Sequence, residues 1–209
     1  MIIQARLKST YAKYSQVGNM RGITGSQAAK IVLDYYGVTD VQIHQASGKL
    51  TDHYDPTQKV IRLSEGVYGS NSIAAVGIAC HEAGHAAQHA ERYAPIKIRN
   101  SILPVCNIGQ AVSIPLILIG LFSGFEPLVW IGIGFFSFTA IFQLVTLPVE
   151  FNASNRALSV IESNGLLSFE EKQGAAKVLR VAAMTYVAAL AMCVAILLRL
   201  ILNVNRRRR

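Results

Sequence analysis

The sequence predicts a mainly helical α+β membrane protein, with a small water-facing α/β region followed by three transmembrane helices. Three observations carry this. Hydrophobic residues make up 52% of the 209 and charged residues only 15%, too apolar for an ordinary soluble domain but suited to one divided between water and lipid. Between Asn100 and Asn155 the chain has no Lys or Arg and only two acids, Glu126 and Glu150. Turn residues and alternating polar and apolar character are concentrated ahead of that stretch, in residues 1–99.

The water-facing region, 1–99, begins with charged residues 1–14. These lack an apolar stretch long enough for a secretory signal, so insertion is expected to rely on internal spans. Thr24-Gly25-Ser26-Gln27 fits a capping box opening a helix through Tyr36, and Gly37 suits its stop. Val41 to Gln45 and Lys59 to Ser64 alternate with a period near two and predict short strands, separated by a turn-rich segment from Ser47 to Pro56. Residues 72–93 predict a helix entered through Gly69-Ser70-Asn71. Its apolar lead into His81 is only about ten residues, too short to cross a bilayer, which puts His81 at or outside the membrane surface.

Leu103 to Ser123 and Leu128 to Val149 each match the roughly 20 residues that span hydrocarbon as helix. With Ser123 to Pro127 as a polar turn, they predict a helical hairpin over 100–149. Residues 150–180 continue as a helical segment. Val181 to Val204 is interrupted only by Arg199 and Asn203 near its end, and predicts a third span within 181–209, ending in a basic tail. As buried core helices, three such runs would leave a short chain no polar faces to solvate them.

The net charge of +8 does not come from an aromatic-interleaved patch, and four of the basic residues are the terminal run Arg206 to Arg209. Nucleic acid is therefore excluded as a partner, and the sign suits juxtamembrane contact with anionic lipid. Cys80, Cys106 and Cys193 are odd in number, far apart and flanked by apolar residues, so they read as buried thiols rather than a disulfide framework.

The chemistry is concentrated in His81-Glu82-Ala83-Gly84-His85. Residues four apart on a helix share a face, so His81 and His85 can present imidazole nitrogens to one zinc ion. Glu82, rotated by about 100°, still borders that face, where its carboxylate can take a proton from an activated water. Ala83 and Gly84 are expected to leave space for the metal and a substrate backbone. The alternative is a pair of surface histidines with no shared ligand. His89 continues the row but lies about 12 Å along the axis from His81, too far for both to reach an ion at roughly 2 Å, and takes a supporting or surface role.

A third ligand must come from elsewhere. Asp34, Asp40, Glu65, Glu91, Glu126, Glu162, Glu170 and Glu171 suit solvent-facing, capping or turn positions, with Ser168-Phe169-Glu170-Glu171 a capping box of its own. Asp52, Asp55 and Glu150 remain. Glu150 follows Leu147-Pro148 at the end of the second span, where an acid is costly without a partner, and a hairpin returns it to the side of His81 and His85. Glu150 is accordingly expected as the third metal ligand.

These residues resemble a known family, the YugP-type neutral zinc metallopeptidases. The segments that carry the resemblance are Leu50 to Pro56, Val60 to Ser64, the helix from Ser72 to His89, and Phe142 to Ser154. It covers nearly the whole chain. The resemblance implies a gluzincin-like site, with zinc held by His81, His85 and Glu150 and with Glu82 as general base. It also implies an apolar segment ahead of the region printed here. More distantly the arrangement looks like the HtpX-type membrane peptidases, in which an acid four residues after the ligand Glu supports a zinc histidine; here that position is Ser154.

The activity this implies is zinc-dependent endopeptidase hydrolysis of membrane or membrane-proximal proteins, in an integral multi-pass protein of the bacterial plasma membrane. Protein or peptide substrates and the bilayer are the expected partners, and a membrane regulator or homo-oligomer is left open. The strand Lys59 to Ser64 is expected to offer an edge to an extended substrate, with His53 or Tyr54 near the oxyanion. Two other readings stand beside this one. An intramembrane zinc protease would need the motif inside a span, against the short lead into His81. A non-enzymatic membrane scaffold would keep a structural zinc. Orientation stays open: the positive-inside rule puts the basic flank of Arg92, Lys97, Arg99 and Arg156 inside, yet asks the same of Arg206 to Arg209 beyond a third span.

Overall fold

A computed structural model of the chain describes residues 2–207, so Met1 and the last two arginines of the basic tail lie outside the described residues. The elements run α1 (Ile2–Tyr14), α2 (Gly25–Tyr35), β1 (Gln42–Ala46), β2 (His53–Asp55), β3 (Val60–Ser64), α3 (Glu65–Tyr68), α4 (Ile73–Ala90), α5 (Ala94–Ser123), α6 (Glu126–Ser163) and α7 (Phe169–Arg207). The chain divides into two compact units: one holds the residues up to Tyr93 with Val149–Thr185, the other Ala94–Pro148 with Tyr186–Arg209. The protein is therefore mainly helical, with one small sheet.

In the first unit, local sequence signals set the element ends. The Thr24 side chain and Gln27 form the reciprocal capping box that starts α2, and Gly37, at φ 66°, supplies the left-handed stop. Ser72 caps α4 by accepting from the Ala75 N–H. The capping box at Ser168 is also formed, with Ser168 Oγ accepting from the Glu171 N–H and the Glu171 carboxylate from the Ser168 N–H. The core gathers Val32 and Leu33 of α2, Ile61 and Leu63 of β3, Val76 and Ala79 of α4, and Ile161 of α6. α4 is buried along most of its length by small residues, Cys80 among them, and burial pushes the Cys80 thiol up so that it stays protonated.

The sheet corrects one expectation. Its order is β1-β3-β2, with β1 parallel and β2 antiparallel to β3, so the strand expected as an open edge is the central one, with neighbours on both sides. β2 went unpredicted because three residues are too few to display a period of two. Its hairpin is built by Asp55, whose Oδ1 accepts from the N–H groups of Thr57 and Gln58, and by Lys59 in the left-handed region at φ 53°. α1 likewise has no counterpart in the sequence reading.

The second unit comprises α5, the first part of α6 and the last part of α7, with a small cluster of Ile117, Val129, Ile133 and Val204. Ile108, Leu118, Phe122 and Leu144 remain 63%, 47%, 89% and 58% exposed. Apolar surface on this scale is suited to lipid or a protein partner rather than open water. Among the described residues, α5, α6 and α7 are long and apolar enough to cross a membrane. α6 also runs unbroken through Pro148, as helices in apolar surroundings tolerate proline once the freed backbone groups find other partners.

Candidate metal centre

His81, Glu82 and His85 all lie on α4, and one helical turn brings the two imidazoles edge to face with ring centroids 4.7 Å apart. α6 supplies Glu150, whose Oε2 lies 3.4 Å from His81 Nε2 and 3.7 Å from His85 Nε2. All three side chains are largely buried, with exposures of 14%, 11% and 6%. Among the described residues this is the cluster of three or more His, Cys, Asp or Glu that could hold a metal ion, and its ligand atoms lie within 4.8 Å of one another.

The spacing fits zinc. Bonds of about 2.0–2.1 Å at tetrahedral angles place two donors about 3.3 Å apart, close to both imidazole–carboxylate distances. Two imidazoles and one carboxylate are also the donor set of a zinc site that leaves a coordination position open for chemistry.

What crosses between the two helices explains how these donors are held. Gly84 faces α6, where an added Cβ would come within 2.7 Å of the Ala153 carbonyl oxygen, and Ala83 is fully buried. Gly84 therefore lets two backbones meet, instead of making room for metal and substrate as expected. The close approach brings Ser154, one turn beyond Glu150, within 3.1 Å of His81 Nδ1.

His85 is fixed by a relay that the sequence reading missed. Gln88, fully buried, donates through Nε2 to the Val149 carbonyl at 2.8 Å and to Asn152 Oδ1 at 2.9 Å. A backbone carbonyl only accepts, so the amide has one orientation and its Oε1 faces His85 Nδ1 at 3.0 Å. His85 must then donate from Nδ1, which leaves the Nε2 lone pair on the side of Glu150. Asn152 Oδ1 also accepts from Arg156 Nε, and Arg156 pairs with Glu91 at 2.7 Å. The available signal was spacing: Gln88 stands three residues after His85, and Asn152 and Arg156 are four apart.

Burial alone would lower the His85 pKa, yet the carboxylates of Glu150 and Glu82 beside it hold it above the ordinary imidazole value. Glu82 is half-buried beside the pair. His89 turns to the Tyr54 ring, with centroids 5.4 Å apart, and stands outside the three-residue cluster. Asp52 is taken up by the Ser64 N–H and hydroxyl, Asp55 by its hairpin and Arg62, and His53 Nδ1 lies 2.7 Å from the Thr51 carbonyl.

Comparison with known proteins also points to zinc. Residues 1–205 match the family model described as "Putative neutral zinc metallopeptidase". The chain is 46% identical over 199 residues to the "Putative membrane protease YugP" of Bacillus subtilis (strain 168), covering 95% of this chain and 88% of that protein. No solved structure matches the chain.

Proposed function

The chain belongs to the neutral zinc metallopeptidase family, and from that premise we propose that it is a multi-pass, membrane-bound zinc metalloendopeptidase of the bacterial plasma membrane. It hydrolyses peptide bonds of membrane or membrane-proximal proteins. His81, His85 and Glu150 hold the zinc, and Glu82 is the general base. The observation that carries the reading is the convergence of Glu150 Oε2 on two imidazole Nε2 atoms at 3.4 and 3.7 Å, all three largely buried.

Zinc, when bound, supplies Lewis acidity, making a water acidic near neutral pH and drawing charge from the scissile carbonyl. The protein's own residues do the rest. Ser154 and Gln88 hold the imidazoles by Nδ1, so each presents Nε2 without a search over ring orientations. Glu82 takes the proton from the attacking water at a carboxylate oxygen and delivers it to the leaving amine.

The test is Glu82→Gln in the full chain, purified in detergent, with zinc content and casein or membrane-peptide cleavage measured together. Zinc is expected to remain at the wild-type level while hydrolysis falls by roughly 10²–10⁴-fold. Cleavage undiminished in that variant would remove the general-base role. Zinc bound by a wild-type protein that cleaves no peptide would instead make the site structural.

A further inference from the structure

Away from the metal centre, the first unit contains a cavity lined by basic side chains. On α1, Arg6, Ser9, Thr10 and Lys13 follow one another at helical spacing and share one face. On α7, Lys177 and Arg180 do the same. The two rows line one cavity of about 560 Å³. What closes α1 onto α7 is Tyr14 against Gly174, where an added Cβ would come within 2.7 Å of the ring.

Four cations thus surround a cavity that no Asp or Glu lines. None of the four forms an ion pair among the described residues, and α1 carries no acid at all. Arg6, Lys13, Lys177 and Arg180 are exposed around this hollow, and like charges gathered at one place repel one another until an anion joins them. Basic groups with hydroxyls between them are the donor set that phosphate oxygens take.

The position selects the source of that phosphate. Arg180 is followed directly by the apolar run of α7, and Val181, its first residue, lines the same cavity. The cavity is therefore cationic along its rows and meets hydrocarbon-seeking residues at one end, as a headgroup with attached acyl chains requires. At about 30 Å³ per water-sized group it has room for roughly 18, well beyond the few heavy atoms of inorganic phosphate. We propose that the cleft between α1 and α7 binds the phosphate headgroup of an anionic glycerophospholipid. The inference does not depend on the peptidase reading.

The test uses the full chain in neutral detergent, titrated separately with short-chain phosphatidylglycerol, phosphatidylcholine and inorganic phosphate, with bound lipid read by native mass spectrometry. Phosphatidylglycerol is expected to bind in preference to phosphatidylcholine, and each cation removed should weaken it roughly fivefold. Arg6→Gln with Lys13→Gln tests α1. Lys177→Gln with Arg180→Gln tests α7, so failure of one pair to fold leaves the other. Lys49→Gln, an exposed cation outside the cleft, should bind as wild type. Equal binding of the two lipids, or a phosphatidylglycerol preference that survives in a folded cleft variant, would overturn the proposal. So would inorganic phosphate held at the cleft with no lipid preference, which would assign it to a soluble anion.

Discussion

Replacing Gly84 with Ala should weaken zinc binding and stability together, although in most helices that exchange stabilises by up to about 1 kcal/mol. The sign is decided by what lies opposite. A Cβ at Gly84 would meet the Ala153 carbonyl oxygen at 2.7 Å, whereas real Cβ contacts are hardly ever under 3.0 Å and mostly exceed 3.4 Å. The backbones must therefore separate by about 0.3–0.7 Å, and overpacking of this kind costs about 1–3 kcal/mol. The clash outweighs the gain in helix propensity. Glu150 stands three residues before Ala153 on α6, and zinc–ligand distances tolerate only about ±0.2 Å, so the same separation stretches the coordination sphere. Thermal unfolding in detergent, with and without zinc, should show a lower midpoint and a smaller zinc-dependent shift. Competition against a chelating dye should show affinity at least tenfold weaker. A Gly84→Ala protein with wild-type zinc affinity and an unchanged midpoint would refute the argument that α4 and α6 meet there without slack.

Three further outcomes follow from the same geometry. Gln88→Leu removes the acceptor for His85 Nδ1 and strips the Val149 carbonyl and Asn152 of their donor, so zinc affinity should fall about 10–100-fold, measured by dye competition. Glu150→Ala should abolish stoichiometric zinc, read by elemental analysis, and a variant that keeps one zinc per chain would exclude Glu150 as a ligand. Zinc retention should also fall with acid sooner than free imidazole chemistry dictates. The His85 pKa is held above its ordinary value and the metal needs the neutral ring, so protons compete from above about pH 6.5 downward. Apparent zinc affinity followed against pH at buffered zinc checks this, and an affinity that stays flat from neutral pH to well below that value would contradict it.

Much of the fold was legible because its signals are local. Thr24 with Gln27 and Ser168 with Glu171 cap helices by contacts within one turn, and the apolar runs declare themselves by length alone. The juxtaposition of Glu150 with His81 and His85 was legible for a different reason: an acid at the end of an apolar run is costly without a partner, which narrows the search. Hidden from sequence were the meetings of segments that no stranded charge announces. β2 exists because β3 offers it a ladder, and the position of β3 in the sheet followed from that. Gly84 reads as spare room until Ala153 is seen opposite. Gln88, uncharged and inside an alanine-rich helix, gives no sign that both ends of its amide are committed.

That commitment has a consequence for how the protein is made. The Gln88 amide clasps His85 at one end and the Val149 carbonyl at the other, and the neighbouring residue, Glu150, is the acid of the cluster. Until α6 docks beside α4, the second imidazole has no fixed tautomer and the cluster lacks its carboxylate. A nascent chain caught before α6 reaches α4 should therefore capture zinc poorly, whatever the site goes on to do.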